Sequence, residues 1–254
     1  MPTLQTMPDK SHRINHQPAF LLTATPWRES SLWLEVFSRD YGRVALLARS
    51  ARKRQSELRG VLVPFVPMSA SWYGSGELKT LHRAEWLGGW ALPQGRALFS
   101  GLYANELMLK LTAREDPHPK LYDALFGLMK AVAGQPNHVA ALRCFEWSLL
   151  TELGFAPDLQ HDEAGCAIDA ERDYWLRPEH AALPLDGADN VHISEAQGVV
   201  VKGNSLIQLR KGEFDSGDSL QQALKLTRML IDFRLPEGVK SRQVLQQMQA
   251  FEFE

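Results

Sequence analysis

The sequence predicts an α+β chain, with a small β-barrel on the N-terminal side and a helical domain after it. Two observations carry this. Up to about residue 90, short apolar runs alternate with turn residues; from about 93 the apolar period lengthens from two to roughly 3.6. Charge divides at the same place: residues 1–90 hold 12 Lys/Arg against 7 Asp/Glu, and residues 91–254 hold 16 against 23. Two segments of opposite sign imply two domains with different partners, the first suited to nucleic acid.

The elements follow in order. Met1–Gln17, with its Pro, Ser, Asn and Lys and no apolar h-region, reads as a disordered extension and not a signal peptide. Residues 18–90 make the barrel. Ala19–Ala24 is a first strand and Leu32–Phe37 a second, closed by Arg39-Asp40-Tyr41-Gly42, where Gly42 supplies a positive φ. Arg43–Ala48 runs back as the third. Val61–Phe65 and Met68–Tyr73 follow, broken by Pro64 and Pro67 as in an edge or bulged strand, and Gly74-Ser75-Gly76 turns into Glu77–Leu81. Five or so short strands without a helical pattern point to an OB-type barrel.

Residues 91–254 make the helical domain. One helix begins after Pro93 and carries Leu98, Leu102, Leu107, Leu109 and Leu111; a second runs from Pro119 to Gly134. A third starts with Asn137 as N-cap and ends at Gly154. Residues 155–215, rich in Gly, Asp and Pro, read as an irregular insertion with strand-like scraps such as Gly198–Val201. Helical pattern resumes at Ser219–Leu235 and Ser241–Phe251.

The chemistry is bounded by absences. The sequence holds no phosphate loop, dinucleotide fingerprint, zinc-protease helix or nucleophile elbow, and no paired carboxylates spaced for acid–base work. A non-enzymatic protein without a cofactor is expected. His161 and Cys166, five apart, fall short of the four ligands a closed zinc shell needs, so no metal is expected. Two cysteines, Cys144 and Cys166, fit a reducing cytoplasm, and no apolar run approaches the roughly 18 residues that span a bilayer.

The strongest positive signal is Arg49–Arg59, which packs five cations and one acid into eleven residues. On the run alone, a solvated loop and a phosphate contact are equally good accounts. Its place in the positive segment favours contact. Arg49, Arg52, Lys53, Arg54 and Arg59, with Arg43 and Lys79 on adjoining strands, are the candidate DNA-binding residues. Trp27, Trp33, Phe37, Phe65, Trp72 and Tyr73 are nearby aromatics, mostly core, of which one or two on an open barrel face suit base stacking. Arg143 stands on the third helix with Trp147 one turn on. It reads either as a surface partner of Glu146 at i+3 or as a cation at the rim of an apolar groove.

At this point the sequence resembles the bacterial RecO family of recombination mediators. The resemblance runs through Pro26-Trp27-Arg28-Glu29-Ser30-Ser31-Leu32, Tyr41-Gly42-Arg43-Val44, Ala48-Arg49-Ser50-Ala51-Arg52, Leu58-Arg59-Gly60 and Gly76–Leu81. It continues through Ser100–Leu107, Leu142-Arg143-Cys144-Phe145-Glu146, Leu153-Gly154, Thr227-Arg228-Met229 and Val239–Arg242. It implies an OB-fold domain and a helical domain, a cytoplasmic, nucleoid-associated protein, and binding to single- and double-stranded DNA. It also implies strand annealing, partnership with RecR and with the acidic tail of single-stranded-DNA-binding protein, and help in loading RecA. The tail-binding groove it implies lies in the helical domain; spacing offers Leu107, Leu111 and Leu142 as its walls, with Arg143 at the rim, though each wall residue also suits ordinary core. Many similar proteins carry a four-cysteine zinc finger in the irregular region, of which this chain keeps only Cys166. The alternative from a different class is a protein adaptor that touches DNA weakly, which the acidic balance beyond residue 90 allows.

Overall fold

The computed structural model describes residues 13–134, 138–185 and 198–251, the last three of these by backbone alone. Five strands close a barrel in the order β1-β2-β3-β5-β4: β1 Arg13–Trp27, β2 Ser31–Ser38, β3 Gly42–Ala48, β4 Pro67–Tyr73 and β5 Leu78–Trp86. All pairings are antiparallel except β3 with β5, where Ala45 faces Leu78 and Leu47 faces Thr80. This is a closed five-stranded barrel of the OB-like type that the number of strands predicted. Closure needs β1 to serve two neighbours, and its length allows it: Ala19–Trp27 pairs with β2 while Arg13–Phe20 pairs with β4.

The structure corrects two expectations. The first strand begins at Arg13, so Arg13–Gln17 belong to the barrel and not to an N-terminal extension; residues 1–12 lie outside the described residues. The stretch pairs with β4, with Arg13, Asn15 and His16 exposed and Ile14 packed against the barrel core. Val61–Phe65, expected as a strand, is instead part of the loop between β3 and β4. Its apolar side chains serve differently: Val61 and Leu62 pack onto the barrel core from the loop, as does Leu58 on the 3-10 turn Glu57–Gly60.

Strand alternation fills two cores. Ala19, Leu21, Leu34, Val36, Val44, Leu46, Met68, Ala70 and Trp72 occupy the barrel interior. Phe20, one residue out of phase, faces the other way and meets Trp90, Tyr122 and Phe126 at ring-centroid distances of 6.3, 5.4 and 6.2 Å. Tyr122 and Phe126 stand on α2 (Pro119–Gly134), and α1 (Gly95–Leu111) reaches β1 through Asn105, whose Nδ2 donates to the carbonyls of Leu21 and Leu22. The chain divides into compact units at Met129/Lys130, within α2. Gly42, at φ +64°, makes the predicted tight turn, and it also admits a crossing chain: a Cβ there would lie 2.1 Å from the Asp116 carbonyl oxygen.

The second unit is built on α3 (Val139–Glu152), α4 (Gly203–Lys211), α5 (Gly217–Arg234) and α6 (Lys240–Phe251). The expected N-cap Asn137 lies outside the described residues; α3 is preceded by His138, which makes no capping bond. Ser216 caps α5 through the Ser219 N–H. Residues 155–215, expected to be irregular, hold an antiparallel sheet in the order β7-β6-β8, from β6 Asp173–Leu176, β7 Leu183–Leu185 and β8 Val199–Lys202, and then α4. The pieces are three to nine residues long, below the span at which apolar periodicity shows, and are held by packing of Tyr174, Leu176, Val201, Leu206 and Leu209. The turn before them is closed by a side chain, since Asp162 Oδ1 accepts the N–H groups of Ala164 and Cys166 at 3.0 and 2.9 Å. Among the described residues no three His, Cys, Asp or Glu gather as a metal would require, and no helix is long and apolar enough to cross a membrane.

Candidate nucleic-acid interface

The loop from Arg49 to Val66 is shaped by its apolar members. Ala51 is buried in the barrel core, and Leu58, Val61 and Leu62 pack against that core. Ser50 takes a positive φ of 57° to turn the chain, and the Lys53, Ser56 and Arg59 N–H groups close successive turns onto the carbonyls of Ser50, Lys53 and Ser56. A second tether joins it to the β1–β2 turn: the Arg52 N–H donates to Ser30 O at 2.8 Å and its guanidinium to Arg28 O at 3.2 Å. A loop pinned at Ala51 and Leu58 has only outward directions left for what lies between them.

Arg49, Arg52, Lys53, Arg54 and Arg59 are accordingly all exposed, and no acid among the described residues pairs with any of them. Five cations on about a dozen residues repel one another and attract a polyanion. A chain of phosphates relieves the repulsion and releases its own counterions. Ser50, Lys53, Arg54, Gln55 and Ser56 line an open hollow of about 370 Å3 on this surface. Trp27, partly exposed, stands at the end of β1 beside the turn that Arg52 grips, its ring 5.3 Å from that of Trp33.

Arg43 and Lys79 stand apart from this group. Arg43 is mostly buried and donates to Glu35 Oε2 at 3.1 Å and, through Nε and Nη2, to the Thr112 carbonyl at 3.2 and 2.8 Å. Lys79 is ion-paired with Glu115 and donates to Gly76 O. Both cations tie the segment after α1 to the barrel wall, together with Arg114, which pairs with Glu35, and the Glu115 N–H, which donates to Arg43 O. Their heads face protein partners, which leaves the five loop cations as the candidates for phosphate contact.

Glu35 is the hub of that clamp. Burial pushes its carboxyl up, but hydrogen bonds from Arg114 and Trp33 and the charges of Arg114 and Arg43 outweigh burial and hold it below the ordinary carboxylate value. A carboxyl with a depressed folded-state pKa binds fewer protons folded than unfolded. Its stabilisation is therefore present above the ordinary value near 4.5 and is lost as pH falls through the folded value. Glu35→Gln should flatten the acid limb of a melting-temperature profile below about pH 5; a profile matching wild type's there would show that Glu35 does not hold the clamp.

The second group of candidate residues is split between the units. Leu107 and Leu111 lie on α1 in the first, Leu142 and Arg143 on α3 in the second. Leu107 is wholly buried, and Leu111 and Leu142 are half-buried. Arg143 is buried, not at the surface, and is ion-paired with Glu146 at 3.0 Å; Thr227 on α5 donates to the same carboxylate at 2.6 Å. The Arg143 Nε and Nη1 groups are buried without an acceptor. The i,i+3 pair was legible in the spacing; its burial under α5 was not.

Comparison with known proteins adds the lineage. The model of "Recombination protein O N terminal" matches residues 13–90 and that of "Recombination protein O C terminal" residues 92–243. A "DNA repair protein RecO" of Neisseria gonorrhoeae is 64% identical over 241 residues, covering 95% of this chain and 97% of its own. One from Neisseria meningitidis serogroup B is also 64% identical over 241 residues, covering 95% and 91%. More distantly, that of Aromatoleum aromaticum is 42% identical over 243 residues, covering 94% and 98%. With both halves matched in order and relatives aligned nearly end to end, the chain belongs to the recombination protein O family.

Proposed function

We propose that this protein acts in DNA repair by binding single- and double-stranded DNA and annealing complementary strands. With RecR, it helps to load RecA onto DNA coated by single-stranded-DNA-binding protein. The observation that carries the reading is the loop Arg49–Arg59, whose five cations are exposed on a scaffold fixed by Ala51 and Leu58. Fixed cations can lie against two phosphate chains at once and screen their repulsion, which lowers the barrier to pairing without any bond chemistry. The relatives' name as DNA repair proteins supports the setting. The partners follow from family membership: the acidic tail is proposed to dock on the helical unit near Arg143, which is itself buried and paired with Glu146, and tethering there raises the protein's concentration on coated strands.

The test is strand annealing, without ATP, on oligonucleotides coated with single-stranded-DNA-binding protein that carries or lacks its tail. Annealing that is faster with the tail supports both halves of the proposal. Annealing of bare strands alone would remove the tail contact. Failure to bind a bare oligonucleotide at about 0.1 M salt would leave a protein adaptor, the reading that the acidic balance beyond residue 90 allows.

A further inference from the structure

We propose that Trp27 is a stacking platform for one base of a single strand, set beside the basic loop so that base and phosphate are gripped together. The proposal rests on the reading of this loop as a DNA contact. It concerns the outer wall of the barrel where β1, β2 and β3 lie side by side.

Strand register places the parts. Thr25 faces Trp33 and Trp27 faces Ser31 across β1 and β2, and Trp33 in turn faces Leu47 on β3. Leu34, Leu46 and Ala48 fill the interior, so their chain neighbours Trp33, Leu47 and Arg49 belong to the outer wall. The ring contact between Trp27 and Trp33 puts Trp27 on that wall as well. Leu32 faces Ala48, so Arg49, next along the chain, stands level with Ser31 and hence with Trp27. Two strand spacings, about 10 Å, separate their backbones. A phosphate adjoining a base on Trp27 falls within reach of the long Arg49 side chain.

The far end of this wall is already taken. There the segment after α1 lies against Glu35 and Arg43, held by the Arg43–Thr112 and Arg114–Glu35 contacts. The end next to the basic loop is open, and the small side chains of Thr25 and Ser31 leave the ring approachable. Trp27 is 36% exposed and stands outside the barrel core, so burial does not account for an indole here. Trp33 supports it at a centroid distance of 5.3 Å and an angle of 57°, and is itself fixed by donating from Nε1 to Glu35 Oε1. The cations are set too, since Arg52 is tied to the Arg28 and Ser30 carbonyls of the turn that follows Trp27. Little ordering is left for binding to impose.

These parts match one unit of a strand, a flat base beside an anionic phosphate. Every base has a face that stacks on an indole, so the platform takes any base, while the guanidiniums of Arg49 and Arg52 take the phosphates beside it. In a duplex both faces of every base are covered by its neighbours. The platform therefore serves only single strands or a base drawn out of the stack. It favours single strands over duplex, which charge alone does not.

The test measures binding of the full-length protein to a thymine oligonucleotide and to an abasic strand of the same length at about 0.1 M salt. Wild type is expected to bind the base-bearing strand about tenfold more tightly. Trp27→Ala should bring that ratio close to one while leaving abasic binding, which the cations set, unchanged; Trp27→Phe should keep most of it. If Trp27→Ala melts below the assay temperature, Trp27→Leu, which stays apolar against Trp33 but has no flat ring, is read in the same way. Equal binding of both strands by wild type overturns the platform, as does a folded Trp27→Ala or Trp27→Leu protein that keeps the tenfold preference. A wild type that binds neither strand overturns the DNA-binding reading itself.

Discussion

Changing Arg52, Lys53 and Arg54 together to alanine should weaken binding of a single-stranded oligonucleotide about a hundredfold at 0.1 M salt. It should also lower the slope of log K against log salt by about 2. Each phosphate neutralised on a single strand releases about 0.7 of a counterion, so three lost contacts remove about two ions. Release of two ions into 0.1 M salt is worth two powers of ten, so one mechanism fixes both figures. The three side chains are exposed, and the loop is held by Ala51 and Leu58, so stability should shift by no more than ~0.5 kcal/mol. Arg43→Ala is the contrast. It breaks the clamp on Glu35 and Thr112, so it should cost stability while leaving the salt slope nearly as it was. A triple variant with the wild-type slope would remove the loop from the DNA interface.

That contrast marks the limit of what the sequence discloses. Arg43 and Arg54 are both arginines in the positive segment, and nothing local separates them. What separates them is distance along the chain: Arg43 meets a carbonyl 69 residues away and Arg114 meets Glu35 across 79. Such pairs are created by strand register and by the return of the chain after α1. The barrel itself was readable because alternation, Gly42 and the Gly74–Gly76 turn are local signals that agree with one another. Val61–Phe65 misled for an equally physical reason. Apolar residues that plug a core from a loop have the composition of a strand, and only the φ of +72° at Phe65 and the turn before it betray the difference. The small sheet and α4 were hidden by brevity, since four residues of apolar character cannot show a period.

The largest stability effect is expected in the second unit, where Glu146→Ala should cost about 3–5 kcal/mol. The side chains of Arg143 and Glu146 are 5% and 2% exposed, and Arg143 already leaves Nε and Nη1 without acceptors. Removing the carboxylate strips the guanidinium of its counter-charge and Thr227 of its acceptor in one step. Arg143→Ala leaves Glu146 buried with only the Thr227 hydroxyl, so it should also be costly. The double variant should cost clearly less than the sum, because the second removal relieves the orphan left by the first. This coupling complicates the obvious test of Arg143 as a contact for an acidic tail, since Arg143→Ala can lose the peptide merely by loosening α3 from α5. Arg143→Lys separates the roles. It keeps a cation beside Glu146 but gives up the planar fork that pairs two-point with a carboxylate. A labelled tail peptide should bind Arg143→Lys about tenfold more weakly, a loss of one charge-assisted hydrogen bond, while the melting curve moves far less than for Glu146→Ala. Wild-type peptide affinity in Arg143→Lys, with the stability cost of Glu146→Ala confirmed, would make Arg143 a buried strut and place the tail elsewhere on the helical unit.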